Sequence, residues 1–190
     1  MKFRLTLLNL LFALICITNT LAQSHDRRYE DIDKKNIIKI NLLSPFLGTL
    51  SLQYEKIIND ESSMQYGFYY FSGTLFAQSF PVLGFCFTPE YRFYLSESTP
   101  HGIYIQPYLR FARFWLTGKY ANVSDNAFTG IAGGMVFGKQ WLFKNKISMD
   151  LYAGPLYTKI FFVDNSSTRG LPNVANGYWI RTGLTLGYYF

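Results

Sequence analysis

The stretch from Gly177 to Phe190 alternates with a period of two. Ile180, Thr182, Leu184, Leu186, Tyr188 and Phe190 fall on one parity, and Trp179, Arg181, Gly183, Thr185, Gly187 and Tyr189 on the other. A β-strand sends successive side chains to opposite faces, so the segment has a greasy face and a small-or-polar face that carries an arginine. That is the pattern of a strand with lipid on one side and a polar lumen on the other.

The opposite end of the chain speaks to destination. Lys2 and Arg4 precede an apolar run from Leu5 to Ile17, and Thr20 to Ala22 forms a small-residue cleavage pattern. This is the layout of a secretory signal peptide, residues 1–22, cut after Ala22. The run is short for a retained anchor and is broken by Asn9. Cys16 does not suit lipid attachment, because Ile15 stands where a small residue is needed. Residues 23–35 are polar, without apolar period, and read as a flexible lead.

Cleavage leaves about 168 residues, one domain's worth, and enough for eight strands of about 9–11 residues. No later segment offers about 18 consecutive apolar residues, which excludes a helical membrane span. Aromatic residues make up 19% of the chain. That proportion suits interfacial girdles and, equally, a soluble sandwich. The formal charge is +6, and Lys2 and Arg4 leave with the signal peptide. With no Lys/Arg run and no RNA-binding motif, the remaining excess is a solvated face rather than a nucleic-acid surface. Cys86 is the one cysteine left, so no intramolecular disulfide is expected.

Turn residues divide the rest into strand-like runs at 36–44, 49–58, 63–72, 82–96, 102–117, 127–143, 147–162 and 177–190. Short polar turns at Asn59–Ser62, Glu97–Gly102 and Lys144–Lys146 alternate with connections that, the brief Pro45–Gly48 aside, are generally longer: Gly73–Ser79, Lys119–Asn126 and Val163–Ala175. The expectation is an all-β fold over 36–190, an eight-stranded, closed, antiparallel up-and-down transmembrane barrel. It would sit in the cell outer membrane with both termini periplasmic.

Parity then sorts the side chains. From Pro81 to Leu95 the odd positions Leu83, Phe85, Phe87, Tyr91, Phe93 and Leu95 oppose Gly84, Cys86, Thr88, Glu90, Arg92 and Tyr94. Further on, Ile103, Ile105, Leu109 and Phe111 oppose Tyr104, Gln106, Tyr108 and Arg110, and Ile147, Met149 and Leu151 oppose Ser148, Asp150 and Tyr152. Seven ionisable residues thereby converge on the lumen: Lys39, Arg92, Arg110 and Arg181 against Glu55, Glu90 and Asp150. Unpaired charge in a confined interior is costly, so the near balance of sign predicts a salt-bridged structural network. An eight-stranded barrel is just wide enough for side chains to fill, which disfavours a porin. Lys139 falls on the greasy parity between Phe137 and Trp141 and is expected near an interface, where it can snorkel.

Three segments, Lys39–Leu43, Pro89–Leu95 and Gly138–Phe143, occur in this order before the terminal aromatic strand. Together they resemble the small outer-membrane barrels of Bacteroidetes catalogued as domain of unknown function 3575, over roughly residues 36–190. Thr158–Phe161 departs from the aromatic-rich pattern of that family. The resemblance implies an integral outer-membrane barrel and carries no assigned activity. The chain end, with Tyr188 and Phe190 on the greasy parity, is similar to the signal by which bacterial barrels are recognised for assembly. Outer-membrane lipid and the barrel-assembly machinery are the partners this implies; any ligand or protein partner stays unnamed.

Other motifs dissolve on inspection. Gly133–Lys139 has the spacing of a phosphate-binding loop, but Gln140 stands where a Mg²⁺-binding hydroxyl is needed and a strand follows rather than a helix. Asn122–Ser124 and Asn165–Ser167 match the glycosylation pattern and read as loop tips in a bacterial barrel. Lipid-modifying barrels place a His with a Ser and an acid near the outer rim. Here His25 lies in the lead and His101 in a periplasmic turn, so the general base is missing. The expectation is a non-enzymatic barrel without cofactor or metal, structural or offering a small binding or adhesion surface. The alternatives are a lipid-modifying outer-membrane enzyme and a soluble secreted barrel holding an apolar ligand. The second requires apolar residues inside, where Glu90, Arg92, Arg110 and Arg181 fall instead.

Overall fold

The structure, a computed structural model, describes residues 35–75, 80–95, 99–116, 127–143, 146–162 and 176–190. The expected signal peptide, residues 23–34 of the lead, His25, and the acceptor sites at Asn122 and Asn165 lie outside them. The compact unit Lys34–Phe190 is a closed barrel.

Eight strands follow in order: β1 (Asn36–Asn41), β2 (Thr49–Asn59), β3 (Ser62–Leu75), β4 (Phe80–Tyr94), β5 (Gly102–Leu116), β6 (Ala127–Phe143), β7 (Ile147–Phe162) and β8 (Gly177–Tyr189). Each pairs antiparallel with the next, and β1 pairs antiparallel with β8. The seam is fastened where Asn36 and Phe190 exchange backbone hydrogen bonds of 3.1 and 2.9 Å. Closure leaves no exposed strand edge to pair with another chain.

The largest differences from the sequence reading fall in two places. β1 stops at Asn41 rather than 44, because Asn41 turns the chain. Its side-chain oxygen accepts from the Leu43 amide at 2.9 Å, and its carbonyl accepts from the Ser44 hydroxyl at 2.7 Å. A short 3-10 turn at Pro45–Leu47 follows, ended by Gly48 at φ 67°, a left-handed conformation that favours glycine. On the other side of β2, Gly73, Thr74 and Leu75 pair with Val82, Pro81 and Phe80. The connection expected at 73–79 is therefore the four residues 76–79, and both flanking strands are longer.

Prolines punctuate the wall. The β4–β5 ladder steps from Phe87↔Phe111 to Glu90↔Tyr108 and again to Phe93↔Ile105, and β6–β7 steps from Gly134↔Leu156 to Phe137↔Ala153. These gaps flank Pro89, Pro107 and Pro155, which have no N–H to give.

Burial is inverted relative to a water-soluble protein. Leu50, Phe68 and Phe85 are 64%, 53% and 53% exposed, whereas Lys39, Glu55, Arg92 and Asp150 are 0% exposed. The exposed side chains form a continuous apolar belt in which Phe68 lies 5.1 Å from Phe87 and Tyr70 lies 5.3 Å from Phe85, ring to ring. A belt of this kind marks a surface that meets something other than water. Inside, the wall makes room for rings. Gly138 faces Tyr104 across β5–β6 and Gly183 faces Tyr152 across β7–β8. A Cβ at either glycine would be driven into the tyrosine ring opposite. The phosphate-loop spacing at Gly133–Lys139 lies wholly within β6; Gly134 and Gly138 lie against the inward Tyr108 and Tyr104, while Gly133 lies beside Leu109.

Candidate functional site in the lumen

The inward parity of eight strands brings polar side chains into a bore only wide enough for them to touch. Arg92 of β4 is the hub. Its Nη2 lies 2.6 Å from Asp150 of β7 and its Nη1 3.6 Å from Glu55 of β2. It also donates to the side-chain oxygens of Gln106 and Gln140, and its guanidinium stacks 4.1 Å over the Tyr104 ring. Lys39 of β1 reaches the same anions, with Nζ 2.5 Å from Glu55, 2.6 Å from Gln140 and 3.4 Å from Asp150. Hydroxyl donors complete the shell. Tyr104 donates to Asp150 at 2.5 Å, and Ser63 and Tyr94 donate to Glu55 at 2.5 and 2.9 Å.

A second cluster joins the first. Arg181 of β8 pairs with Glu90 of β4 at 2.8 Å, donates to the Tyr69 hydroxyl at 3.0 Å, and lies 4.3 Å over the Tyr108 ring. Gln106 bridges the clusters, accepting from Arg92 while its amide donates to Glu90. The bonds from β4 to β7, β1 to β7 and β8 to β4 are chords across the bore and tie together strands that do not adjoin in the sheet. Three cations, Lys39, Arg92 and Arg181, meet three anions, Glu55, Glu90 and Asp150, all buried. Such balance matters because a single unpaired charge here would keep its full desolvation cost.

Of the seven residues singled out from sequence, the structure joins these six. Arg110 stands apart: half-buried, it donates to Thr88 at 3.2 Å and stacks 4.8 Å from the Tyr69 ring. Tyr188 and Phe190 face outward, exposed and stacked with ring centroids 6.5 Å apart, while Tyr189 between them is buried.

Sequence reading missed two parts of the lumen. Gln140 is fully buried and touches both Lys39 and Arg92. The signal was its register opposite Asp150, which only the paired β6–β7 ladder reveals. Nearer the end remote from the termini, the inward face turns apolar. Phe71, Phe114 and Phe128 form a collar, Phe114 lying 6.0 Å edge-on to Phe71 and 5.1 Å stacked on Phe128. Gly84 sits opposite Phe114 and leaves space for that ring. On the outer face Lys139 is half-buried with Nζ 5.6 Å from the Trp141 ring, and Trp141, expected to be exposed, is buried.

Chemically, the interior carboxylates are engaged. Each of Glu55, Glu90 and Asp150 accepts from at least one cation and one neutral donor. His101 lies in the turn leading into β5, at the end of the barrel that carries the termini.

The fold is similar to the crystal structure of the N-terminal β-barrel domain of Pseudomonas aeruginosa OprF. The identity is 10%, with 82% of this chain and 96% of that chain covered and a TM-score of 0.42. No curated protein matches the chain. The family model described as "Protein of unknown function (DUF3575)" matches residues 9–165, which takes in β1 to β7 and stops before β8. The chain belongs to the DUF3575 family.

Proposed function

We propose that this protein is an integral outer-membrane barrel without enzymatic activity. Its lumen is a structural plug, and its role is to present a small surface at the cell exterior. One observation carries the reading: fully buried ion pairs inside a wall whose outer face is a continuous belt of exposed Leu, Ile and Phe. Water on the outside would leave that belt unexplained, and lipid explains it.

The connections support an orientation with both termini periplasmic. Those at the terminal end join β2 to β3, β4 to β5 and β6 to β7 over 60–61, 95–101 and 144–146. At the opposite end 117–126 and 163–176 are longer, as outer loops are, while 42–48 and 76–79 are short. A lipid-modifying activity is disfavoured because, among the described residues, the inward acids Glu55, Glu90 and Asp150 are held by Lys39, Arg181 and Arg92. A general base needs a free lone pair within reach of its proton donor.

Fractionation is the test. The protein is expected in the outer membrane, resistant to salt and alkali, and its band on a denaturing gel should move on heating. Recovery from the soluble periplasm would contradict the reading. Planar-bilayer recordings should give no stable aqueous conductance, since chords cross the bore.

A further inference from the structure

Outward-facing cations at the end remote from the termini form a small group. Arg113 of β5 and Lys159 of β7 are both exposed on the outward parity, each three residues from its strand's last residue. They flank β6. Arg113 pairs in register with Thr129, whose other neighbour is Phe161, and Lys159 pairs with Ile131, the next outward position on β6. Two strand spacings across and two residues along place their Cα atoms about 12 Å apart.

Each cation is steadied by an aromatic ring, Arg113 5.7 Å from Trp115 and Lys159 5.4 Å from Phe161. Neither faces a carboxylate among the described residues. Glu55, Glu90 and Asp150 point into the lumen, and Asp60 and Glu61 lie at the β2–β3 turn, at the other end of the barrel. Arg113 and Thr129 also line a groove with Tyr70, Phe85, Phe87 and Phe111, in which Asn41, Ser44 and Ser51 are further polar members; Lys159 lies outside it.

A largely apolar groove with a cation and a hydroxyl in its lining, and a second outward cation about 12 Å from the first, has the complementarity of an acyl lipid with an anionic head. We propose that this face binds a phosphorylated acyl glycolipid of the outer leaflet, of the lipid A type. Arg113 and Lys159 engage phosphates on one sugar head group, Thr129 donates to it, and an acyl chain lies along Phe85, Phe87 and Phe111. The proposal rests on the membrane reading above. Two cations separated by a short span suit a sugar bearing phosphates better than scattered interfacial lysines would, because both reach one head group together.

Native mass spectrometry of the membrane-extracted protein tests it, titrating lipid A that carries its phosphates against the same lipid dephosphorylated. Wild type should prefer the phosphorylated form. R113Q/K159Q should lose that preference by about tenfold or more, at roughly 1 kcal/mol for each interfacial cation. K56Q/K146Q, at the opposite end, should keep it. Equal binding of the two lipids by wild type, or equal losses in the two double variants, would overturn the proposal while leaving the barrel in the membrane. A protein recovered only as a soluble species would instead remove the membrane reading.

Discussion

The lumen and the outer face of this barrel are made by the same eight strands, one residue out of phase, and the two surfaces solve opposite problems. Inside, Arg92 and Lys39 share Glu55 and Asp150 in full burial; one residue away, Phe93 and Ile38 stand exposed. The difference shows that position along the strand matters less than phase. A slip by one residue would turn guanidinium groups to the apolar outer face and phenyl rings into a polar bore. It also shows that the two faces differ in how far they tolerate change. The lumen depends on mutual partners, so removing one group orphans several. The outer face depends on area, so removing one side chain removes only its own contribution.

The largest effect should come from breaking the lumen's balance. Asp150→Ala leaves Arg92 and Lys39 without an anion that both of them use and strands the Tyr104 hydroxyl. A loss of about 3–5 kcal/mol is expected in urea titrations of the barrel refolded in lipid vesicles. Pairing it with Arg92→Met should recover part of that loss, because the orphaned charge goes with its partner. Strict additivity of the two changes would argue that the ion pair is not coupled.

On the outer face, Phe85→Arg puts a charge into the belt. Phe85 pairs in register with Arg113 and so lies between midplane and outer interface; the cost should be about 1–2 kcal/mol, below that of a midplane site, while Phe85→Leu should be mild. The same titration in vesicles of thinner lipid should reduce the penalty, since the charge then lies nearer the head groups.

Gly183→Ala asks whether the lumen is as tightly filled as the rings suggest. The added methyl meets the Tyr152 ring, and overpacking of about 1–3 kcal/mol is expected by the same assay. A companion Tyr152→Leu in that background should relieve it.

The smallest effect on stability belongs to the outward pair at the chain end. Phe190→Ser should change unfolding by about 1 kcal/mol, because Phe190 sits at the chain end on the outer face and loses only its own contact area. It should nevertheless slow appearance of the heat-modifiable form in cells if Tyr188 and Phe190 present an assembly signal. Tyr189→Ser, by contrast, exposes a buried inward position and should act on stability rather than on the rate of assembly.

Much of the wall was legible because alternation survives translation into structure. Arg181, Thr185 and Tyr189 of β8 are buried, and Leu186 and Tyr188 are exposed, as counting by twos from Phe190 implies. What the sequence could not show was register around a closed circuit. Lys39 and Asp150 are 111 positions apart and meet only because β1 closes on β8 and side chains reach across the bore. Gln140 escaped notice for the same reason: an uncharged residue gives no sign imbalance to follow. The collar of Phe71, Phe114 and Phe128 was hidden by chemistry. An aromatic on the inward parity looks like an exception until the rings are seen to pack over Gly84. Arg110 shows the limit of parity. It points inward with the other charges but lies beyond their reach, beside Thr88 and Tyr69.

The fold stands or falls with the phase of its wall, which neighbouring thiols on β4 can report. Cys86 faces inward in the native chain and Phe85 faces outward beside it. A small fluorophore would be attached to Cys86 in one sample and to Phe85→Cys in a Cys86→Ser background in the other. Both barrels would be refolded in vesicles whose acyl chains carry bromine. Strong quenching at position 85 with little at 86 is the result predicted. Equal quenching, or quenching at 86 alone, would contradict a lipid-facing belt around a sealed polar lumen.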